Sequence, residues 1–169
     1  MGPGGERAMA RIGKTAATDA YFEAFRRARG VADADYDLTR FGDSPELADE
    51  LLELVLSGVK RATAYLLRDV EAGVEDMGRV GAHVVALDGA GTPRCVWRTT
   101  DIAVKPLIEV DDAFARDEGE GDGSRAYWLA ADREYFAREA ARRGFAFDDR
   151  SPTVFERFTI VWPPERADV

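Results

Sequence analysis

Two valine-rich segments joined by a short glycine-rich stretch constrain the fold of this chain more than any other feature. The segments run from Ala82 to Asp88 and from Arg94 to Val104, and Gly89-Ala90-Gly91-Thr92-Pro93 separates them. β-Branched and aromatic residues favour strands, and a turn of this length and composition joins two adjacent strands in a hairpin. Apolar residues that alternate from Thr153 to Trp162 predict a further strand near the C-terminus.

Helical patterns fill most of the remaining chain. Ser44-Pro45-Glu46 is a strong helix start, because Ser caps free N–H groups, Pro suits the first helical position and the acid faces the positive end of the helix dipole. The order of elements shows no regular βαβ repeat, so we predict an α+β fold, a small mixed β-barrel with surrounding helices, rather than a doubly wound sheet. The predicted helices are Asp19 to Arg29, Pro45 up to Gly58, Thr63 to Glu71, Asp111 to Arg116 and a long helix capped by Ser124 that ends near Arg143.

Length and hydrophobic content indicate one domain. The chain has 169 residues, of which 46% are hydrophobic, enough for a full core but too few residues for two typical domains. Residues 1–17 are predicted to form a flexible N-terminal tail, and residues 18–169 the folded domain. No apolar run approaches the roughly 18 to 20 residues of a membrane span, and no secretory signal is evident, so we expect a cytoplasmic protein without a membrane partner.

Charge and metal-ligating residues narrow the classes of partner. The formal net charge is −9, which argues against duplex DNA as a partner, because affinity for a duplex comes largely from Lys and Arg at phosphates. A short RNA or a small nucleoside ligand stays compatible with this charge, as does a homo-oligomer. Cys95 is expected to be a buried, inert thiol, and one Cys with one His, His83, does not make a dedicated zinc site. We therefore expect neither a metal ion nor another cofactor.

An acidic glycine turn and an isolated lysine are the strongest functional signals. Glu118-Gly119-Glu120-Gly121-Asp122-Gly123-Ser124 precedes the long helix, and Lys60 is one of only three lysines beside twenty arginines. A desolvated Lys can lose its proton, whereas Arg does not, so Lys60, Thr63 and an acid of the turn are candidates for one polar site. Two other interpretations stay open. The first is a solvated Lys60–carboxylate salt bridge with Thr63 as a helix cap, and the second is a hard-cation site formed by the three acids of the turn.

Several motifs, taken in order, resemble the ASCH domain family, whose barrel is related to the PUA domains of RNA-modifying proteins. The resemblance extends from about Tyr36 to Val161. It rests on residues 41–52, Gly58 to Thr63, Val80-Gly81, Cys95 to Thr100, Phe114 to Ser124, Tyr127-Trp128 and Phe155-Glu156-Arg157-Phe158. The chain departs from the family pattern at Arg61, where Thr is usual, at Leu129, where Arg is frequent, and at Asp132, where His is common.

The resemblance implies two activities. One is hydrolysis of N4-acetylcytidine to cytidine and acetate, for which it implies Lys60, Thr63 and Glu118 as catalytic residues. In that hypothesis Lys60, with a lowered pKa, takes the Thr63 hydroxyl proton. Either Thr63 or an activated water then attacks the acetyl carbonyl, and Glu118 manages protons at the leaving amine. The alternative is an RNA-binding module or a ribonuclease acting on short single-stranded RNA, with Lys60 paired with Ser124 and a base stacked on Trp128 or Tyr65.

The predicted ligand-binding residues complete this hypothesis. They lie close to the two functional segments or in the predicted strands and the long helix, and they supply charge, hydroxyl groups or aromatic rings. They are Arg61, Arg98, Glu120, Ser124, Tyr127, Trp128 and Glu156.

Overall fold

A curled five-stranded sheet forms the centre of the computed structural model, which describes residues 12–168. Over these residues the strands are hydrogen-bonded in the order β1-β3-β4-β5-β2, with β1 parallel to β3 and every other pair antiparallel. The strands are β1 (Asp37–Thr39), β2 (Ala62–Leu66), β3 (His83–Leu87), β4 (Pro93–Pro106) and β5 (Pro152–Trp162).

The long central strand β4 gives the sheet its curvature. It pairs with β3 on one side and with β5 on the other, and its register against β5 shifts between Val96 and Trp97 and again between Thr99 and Asp101. Such bulges bend a strand and increase its twist. The sheet therefore curls into a half-barrel, which confirms the predicted α+β fold with a PUA-like barrel and surrounding helices.

The predicted caps and glycine stops set most of the helix limits. Ser44 and Ser124 each accept a hydrogen bond from the backbone N–H three residues later, and Gly30 and Gly144 adopt the left-handed conformation that ends a helix. The helices are α1 (Ala16–Arg29), α2 (Pro45–Leu56), α3 (Leu67–Glu71), α4 (Asp112–Glu118) and α5 (Arg125–Arg143), with a 3-10 turn at Leu107–Glu109.

Two segments differ from the sequence prediction. The helix expected from Thr63 is wrong, because Ala62–Leu66 pairs with the free side of β5 and only Leu67–Glu71 is helical. Backbone hydrogen bonds to a distant strand thus override the local helical pattern. The short strand β1 was not predicted, since its three residues carry no periodicity.

The predicted N-terminal tail falls mainly on residues 1–11 and lies to that extent outside the described residues. The first helix starts at Ala16, three residues earlier than expected, because Thr15 and Thr18 form a reciprocal capping box.

Three groups of buried side chains hold the helices to the sheet. Helix α2 packs through Leu52 and Val55 on Trp97 and Phe158, while α1 packs through Phe22 and Phe25 on another part of the sheet. Helices α4 and α5 cover β2 and β5 with the third group, which includes Phe114, Trp128 and Phe155. Within the described part of the chain, no helix combines the length and the apolar character needed to cross a bilayer.

Candidate functional site

A large cavity lies between the sheet, α2, α5 and the loop that follows α3. Its volume is about 690 Å³, which is within the usual range of small-molecule sites. Among the described residues that line it, eleven are Asp or Glu and five are Lys or Arg, so the lining is strongly acidic. Apolar and aromatic side chains supply the rest of the wall, among them Phe41, Leu51, Trp97 and Tyr135.

Lys60 lies fully buried in the wall of this cavity. The segment that follows α2 turns back on the helix, so that the backbone N–H of Lys60 donates to the Leu54 carbonyl at 3.0 Å. The Lys60 ammonium donates to Glu120 Oε1 at 3.0 Å and lies 3.4 Å from Glu118 Oε2. Its side chain is 2% exposed and that of Glu118 is 4% exposed, so the ion pair is buried rather than solvated.

The turn after α4 brings Glu118 to Lys60. Gly119 ends α4 with a φ of +67°, and a Cβ at this position would lie 2.3 Å from the Val59 carbonyl oxygen. Only glycine allows both this conformation and this close approach. The Arg61 N–H donates to the Asp117 carbonyl at 2.6 Å and fixes the same junction. The glycines of the acidic turn are therefore required by the packing that places Glu118 beside Lys60.

The charge state of Lys60 differs from the sequence expectation. Burial by itself would lower the pKa of the Lys60 ammonium, but the Glu118 and Glu120 carboxylates raise it above its ordinary value. The expected lowering of the Lys60 pKa is therefore wrong, and the two carboxylates favour the ammonium form of Lys60 in this cavity.

Glu118 has a pKa close to neutrality. Burial raises its pKa to about 7, against the lowering effect of Lys60, and the Glu120 carboxylate adds to the rise. The indole N–H of the buried Trp128 approaches this carboxyl but makes no regular hydrogen bond. Glu118 can therefore both accept and donate a proton at neutral pH.

Asp132 is a third carboxyl group of this cluster. It lies one helical turn after Trp128 on α5 and lines the cavity. Burial raises the pKa of Asp132 well above its ordinary value, and the Glu118 and Glu120 carboxylates raise it further, while Lys60 opposes them. Asp132 consequently retains its proton to higher pH than an ordinary aspartate does.

Thr63 and Glu156 lie side by side on the floor of the cavity. They are directly paired across β2 and β5, and both line the cavity. Thr63 shares the cavity with Lys60 because Lys60 precedes the strand, so the alternation of side chains along β2 does not separate them. Glu156 is buried, its Oε1 accepts from the Thr99 hydroxyl at 2.6 Å, and its Oε2 accepts from the Tyr65 hydroxyl at 3.2 Å.

Glu120 and Tyr127, like Glu156, lie where a cavity ligand could contact them. Tyr127 lines the cavity and is 45% exposed, so its ring is accessible to a ligand. Trp128 is 1% exposed and packs in the core against Phe114 and Phe155, so no base can stack on it in this structure.

Arg61, Arg98 and Ser124 lie outside the cavity. Arg61 forms an ion pair with Asp168 at 2.7 Å and donates to backbone carbonyls. Arg98 is exposed and alternates along β4 with the buried Trp97 and Thr99, so it belongs to the opposite face of the sheet. Ser124 is the cap of α5, and its hydroxyl accepts from the Tyr127 N–H.

The three acids of the turn do not share one site. Glu118 and Glu120 face Lys60, whereas Asp122 lies outside the cavity and accepts from the Ser124 N–H at 2.9 Å. Across residues 12–168, no group of three or more His, Cys, Asp or Glu side chains is arranged to hold a metal ion. Cys95 is fully buried, and burial raises the pKa of its thiol to about 12, as expected for an inert core cysteine.

Sequence reasoning assigned no site role to Asp132 or to Thr99. Asp132 has a sequence signal, because it lies four residues after Trp128 on a helix whose inner face is otherwise apolar. Thr99 has a weaker one, because it alternates with Trp97 and so shares a strand face with that buried ring.

Comparison with known proteins supports the half-barrel fold and covers most of the residues that line the cavity. The ASCH domain model matches residues 37–162. The crystal structure of an ASCH domain from Lactobacillus crispatus is 28% identical with a TM-score of 0.80, covering 89% of this chain and 98% of that one. The crystal structure of a protein from Enterococcus faecalis is 27% identical with a TM-score of 0.75, covering 83% of this chain and 85% of that one. No curated protein sequence matches the chain. Because the family model covers most of its length, the chain belongs to the ASCH domain family.

Proposed function

We propose that the protein binds a modified nucleoside in this cavity and hydrolyses its N-acyl amide, with N4-acetylcytidine as the model substrate. One observation carries the proposal. A buried ammonium, a carboxyl group of near-neutral pKa and a hydroxyl, from Lys60, Glu118 and Thr63, border a single cavity of nucleoside size. A cation, a proton carrier and a hydrogen-bonding group are the components that amide hydrolysis needs.

In the proposed reaction, ionised Glu118 acts as a general base. A water oxygen bonds to the acetyl carbon as Glu118 takes its proton, and the carbonyl electron pair moves to the carbonyl oxygen. The Lys60 ammonium stabilises this oxyanion, because a fixed cation in a site with little water interacts strongly with developing charge. The oxyanion electron pair then re-forms the carbonyl as the C–N bond breaks with its electron pair on nitrogen, and Glu118 returns the proton to that nitrogen. The products are cytidine and acetic acid, and the acid loses its remaining proton to water to give acetate.

Thr63 has an orienting role in this proposal. Its hydroxyl both donates and accepts hydrogen bonds, so it can hold the attacking water or the acetyl carbonyl against the floor of the cavity. Because Lys60 keeps its proton, it does not take the Thr63 proton in this reaction, and the nucleophile is the water that Glu118 activates.

The charge of the lining favours a neutral ligand. A polyphosphate chain would meet a net excess of carboxyl over basic groups in this lining, whereas an uncharged nucleoside would not be repelled by it. The ribonuclease alternative would pair Lys60 with Ser124, and Ser124 lies outside the cavity. The cavity therefore supports the nucleoside proposal better than it supports binding of RNA.

Turnover of N4-acetylcytidine by the wild-type protein and by Lys60→Ala tests the proposal. We expect the wild type to release acetate and Lys60→Ala to be slower by at least about 100-fold, because it lacks the oxyanion partner. Lys14→Ala is the matched control, since Lys14 is exposed and lies outside the cavity. Circular dichroism would establish that each variant is folded.

Absence of acetate release by the folded wild type would contradict the hydrolase. If that protein instead binds short single-stranded RNA with an affinity that falls as salt rises, the RNA-binding alternative holds, because phosphate contacts weaken with salt.

A further inference from the structure

We propose that Glu156 and Trp97 form a hydroxyl-binding subsite on the floor of the cavity, and that this subsite holds a 2′- or 3′-hydroxyl of the nucleoside ribose. The inference rests on the proposed function, since the nucleoside supplies the hydroxyl. It adds to that function the part of the substrate that is recognised and the groups that recognise it.

Glu156 is a buried carboxyl without a basic partner. It is 4% exposed and accepts hydrogen bonds from two hydroxyl groups, those of Thr99 and Tyr65. In the part of the chain that the structure describes, no Lys, Arg or His forms a salt bridge with it, in contrast to Glu118 and Glu120. Each carboxylate oxygen has two acceptor positions, so both can accept a further hydrogen bond.

A carboxyl group in this setting is unfavourable for the protein alone. Burying a carboxylate without a cation destabilises the folded state, and an apolar side chain of similar volume would generally pack at less cost. Glu156 borders the cavity and lies directly opposite Thr63, with Cβ atoms that are about 4.5–5.5 Å apart in such pairs. A hydrogen-bond donor from a ligand would therefore complete its interactions next to the proposed reaction centre.

Trp97 supplies the second, independent observation. Its indole nitrogen is buried without a hydrogen-bond partner, although buried polar groups are nearly always paired. The Trp97 ring lines the cavity and stacks on Phe158 with centroids 4.1 Å apart, which holds the indole in place. The N–H lies near the Glu156 carboxyl but not in regular hydrogen-bonding geometry with it.

The Trp97 indole N–H, which has no regular hydrogen-bond partner, and the Glu156 carboxyl group, which can accept further hydrogen bonds, define the chemistry of the ligand. The floor offers an acceptor at Glu156 and a donor at Trp97, and a hydroxyl is a small neutral group that both donates and accepts. An ammonium would satisfy only the carboxyl group, and a phosphate would be repelled by it. Of the groups on a nucleoside, the ribose hydroxyls fit this pair.

Equilibrium binding of nucleosides, measured by calorimetry, tests the subsite without depending on turnover. The ligands are cytidine, 2′-deoxycytidine and 2′,3′-dideoxycytidine, which differ only in their ribose hydroxyls. The proteins are the wild type, Glu156→Gln, which preserves the shape of the side chain, and Glu53→Gln as a matched control on the exposed side of α2. Thermal unfolding of all three establishes that they are folded.

We expect the wild type and Glu53→Gln to bind cytidine about tenfold or more tightly than 2′,3′-dideoxycytidine, because a hydrogen bond to a charged group is lost. In Glu156→Gln we expect this preference to fall to roughly threefold or less. The affinity of 2′-deoxycytidine then assigns the subsite to the 2′- or the 3′-hydroxyl, and either assignment agrees with the proposal.

Two results would overturn the inference and can be told apart. If the wild type binds cytidine and 2′,3′-dideoxycytidine equally, the subsite is refuted while a nucleoside cavity remains. If the wild type binds none of the nucleosides, the proposed function fails and the subsite fails with it.

Discussion

A single ammonium facing three carboxyl groups determines the chemistry of the cavity. Lys60 forms ion pairs with Glu118 and Glu120, and Asp132 adds its charge to the same cluster. Ionising all three carboxyl groups beside a single cation in a buried site costs free energy, because the carboxylates repel one another. Some of these groups therefore keep their protons up to neutral pH. In the structure, Lys60 and its carboxyl partners therefore form a buried cluster that can exchange protons.

The substitution Glu118→Gln tests the proton carrier. It keeps the shape of the side chain but removes the base, so N4-acetylcytidine turnover is expected to fall by about 100-fold or more. The pKa of Glu118 is raised in the folded state, so the wild type loses stability as the pH rises from about 4.5 to about 7, and the variant should lack this loss.

Thermal unfolding at pH 5 and pH 8, together with an activity assay, would measure both effects of Glu118→Gln. Glu109→Gln, at an exposed position outside the cavity, is the matched control. A Glu118→Gln protein that hydrolyses the substrate at the wild-type rate would rule out this base.

Asp132→Asn is expected to be tolerated, because Asn resembles the protonated acid. The raised pKa of Asp132 means that its contribution to stability is present at low pH and is lost as the pH rises through its folded-state value. The variant should therefore gain stability relative to the wild type, and the gain should be larger at pH 8 than at pH 5. Comparison of melting temperatures with Asp33→Asn, an exposed site, checks this expectation, and a variant that is less stable at pH 8 would contradict it.

At the scale of elements, the site combines residues at the ends of helices with residues of two paired strands. Lys60 follows the end of α2, Glu118 ends α4, and Thr63 and Glu156 are paired across β2 and β5. The loop after α3 closes the cavity over this pairing, and its Gly78 N–H donates to the Tyr65 hydroxyl at 2.9 Å. A specific hydrogen bond therefore holds the loop against the strands.

Substitution Gly78→Ala tests that fit. An added Cβ would lie 2.6 Å from Glu156 Oε2 and 2.8 Å from Ile102 Cδ1, so either the loop or these side-chain ends must shift. We expect a loss of about 1–3 kcal/mol in the free energy of unfolding, the usual cost of overpacking. Gly13→Ala is the matched control, because nothing lies within 4 Å of the added atom. Equal stabilities in denaturant titrations would show that the loop is not tightly packed.

At the scale of the whole molecule, net charge and cavity charge have the same sign. The chain carries a formal charge of −9, and carboxyl groups outnumber basic groups in the cavity lining. Both repel phosphate, and the repulsion acts over about 10 Å at an ionic strength of 0.1 M. This charge distribution favours the proposed uncharged nucleoside over a phosphate-bearing ligand.

Cytidine and cytidine 5′-monophosphate provide the corresponding test. We expect the nucleotide to bind several-fold more weakly than the nucleoside at low salt, and the difference to shrink at high salt as the repulsion is screened. Calorimetric titrations at two ionic strengths would measure this, with cytidine as the salt-insensitive reference. Tighter binding of the nucleotide that weakens with salt would instead indicate a phosphate-binding site.

Local signals in the sequence were sufficient for most elements. Ser44, Asp111 and Ser124 cap helices through their own side chains, and the Gly89–Pro93 turn leaves few alternatives to a hairpin. Such interactions join residues that are close in the sequence, so they can be predicted without knowledge of the tertiary structure. The helix expected at Thr63 failed because β2 is stabilised by hydrogen bonds to β5, about ninety residues away.

The sequence by itself determined most of the helices and the hairpin, and it marked Lys60 and the acidic turn as a candidate site. Only the tertiary structure decided that Lys60 keeps its proton, that Glu118 has a pKa near 7, that Trp128 is buried and that Arg98 faces away from the cavity. The physical reason is that pKa and exposure depend on neighbours in space. Those neighbours come from segments that approach one another only when the half-barrel closes against its helices.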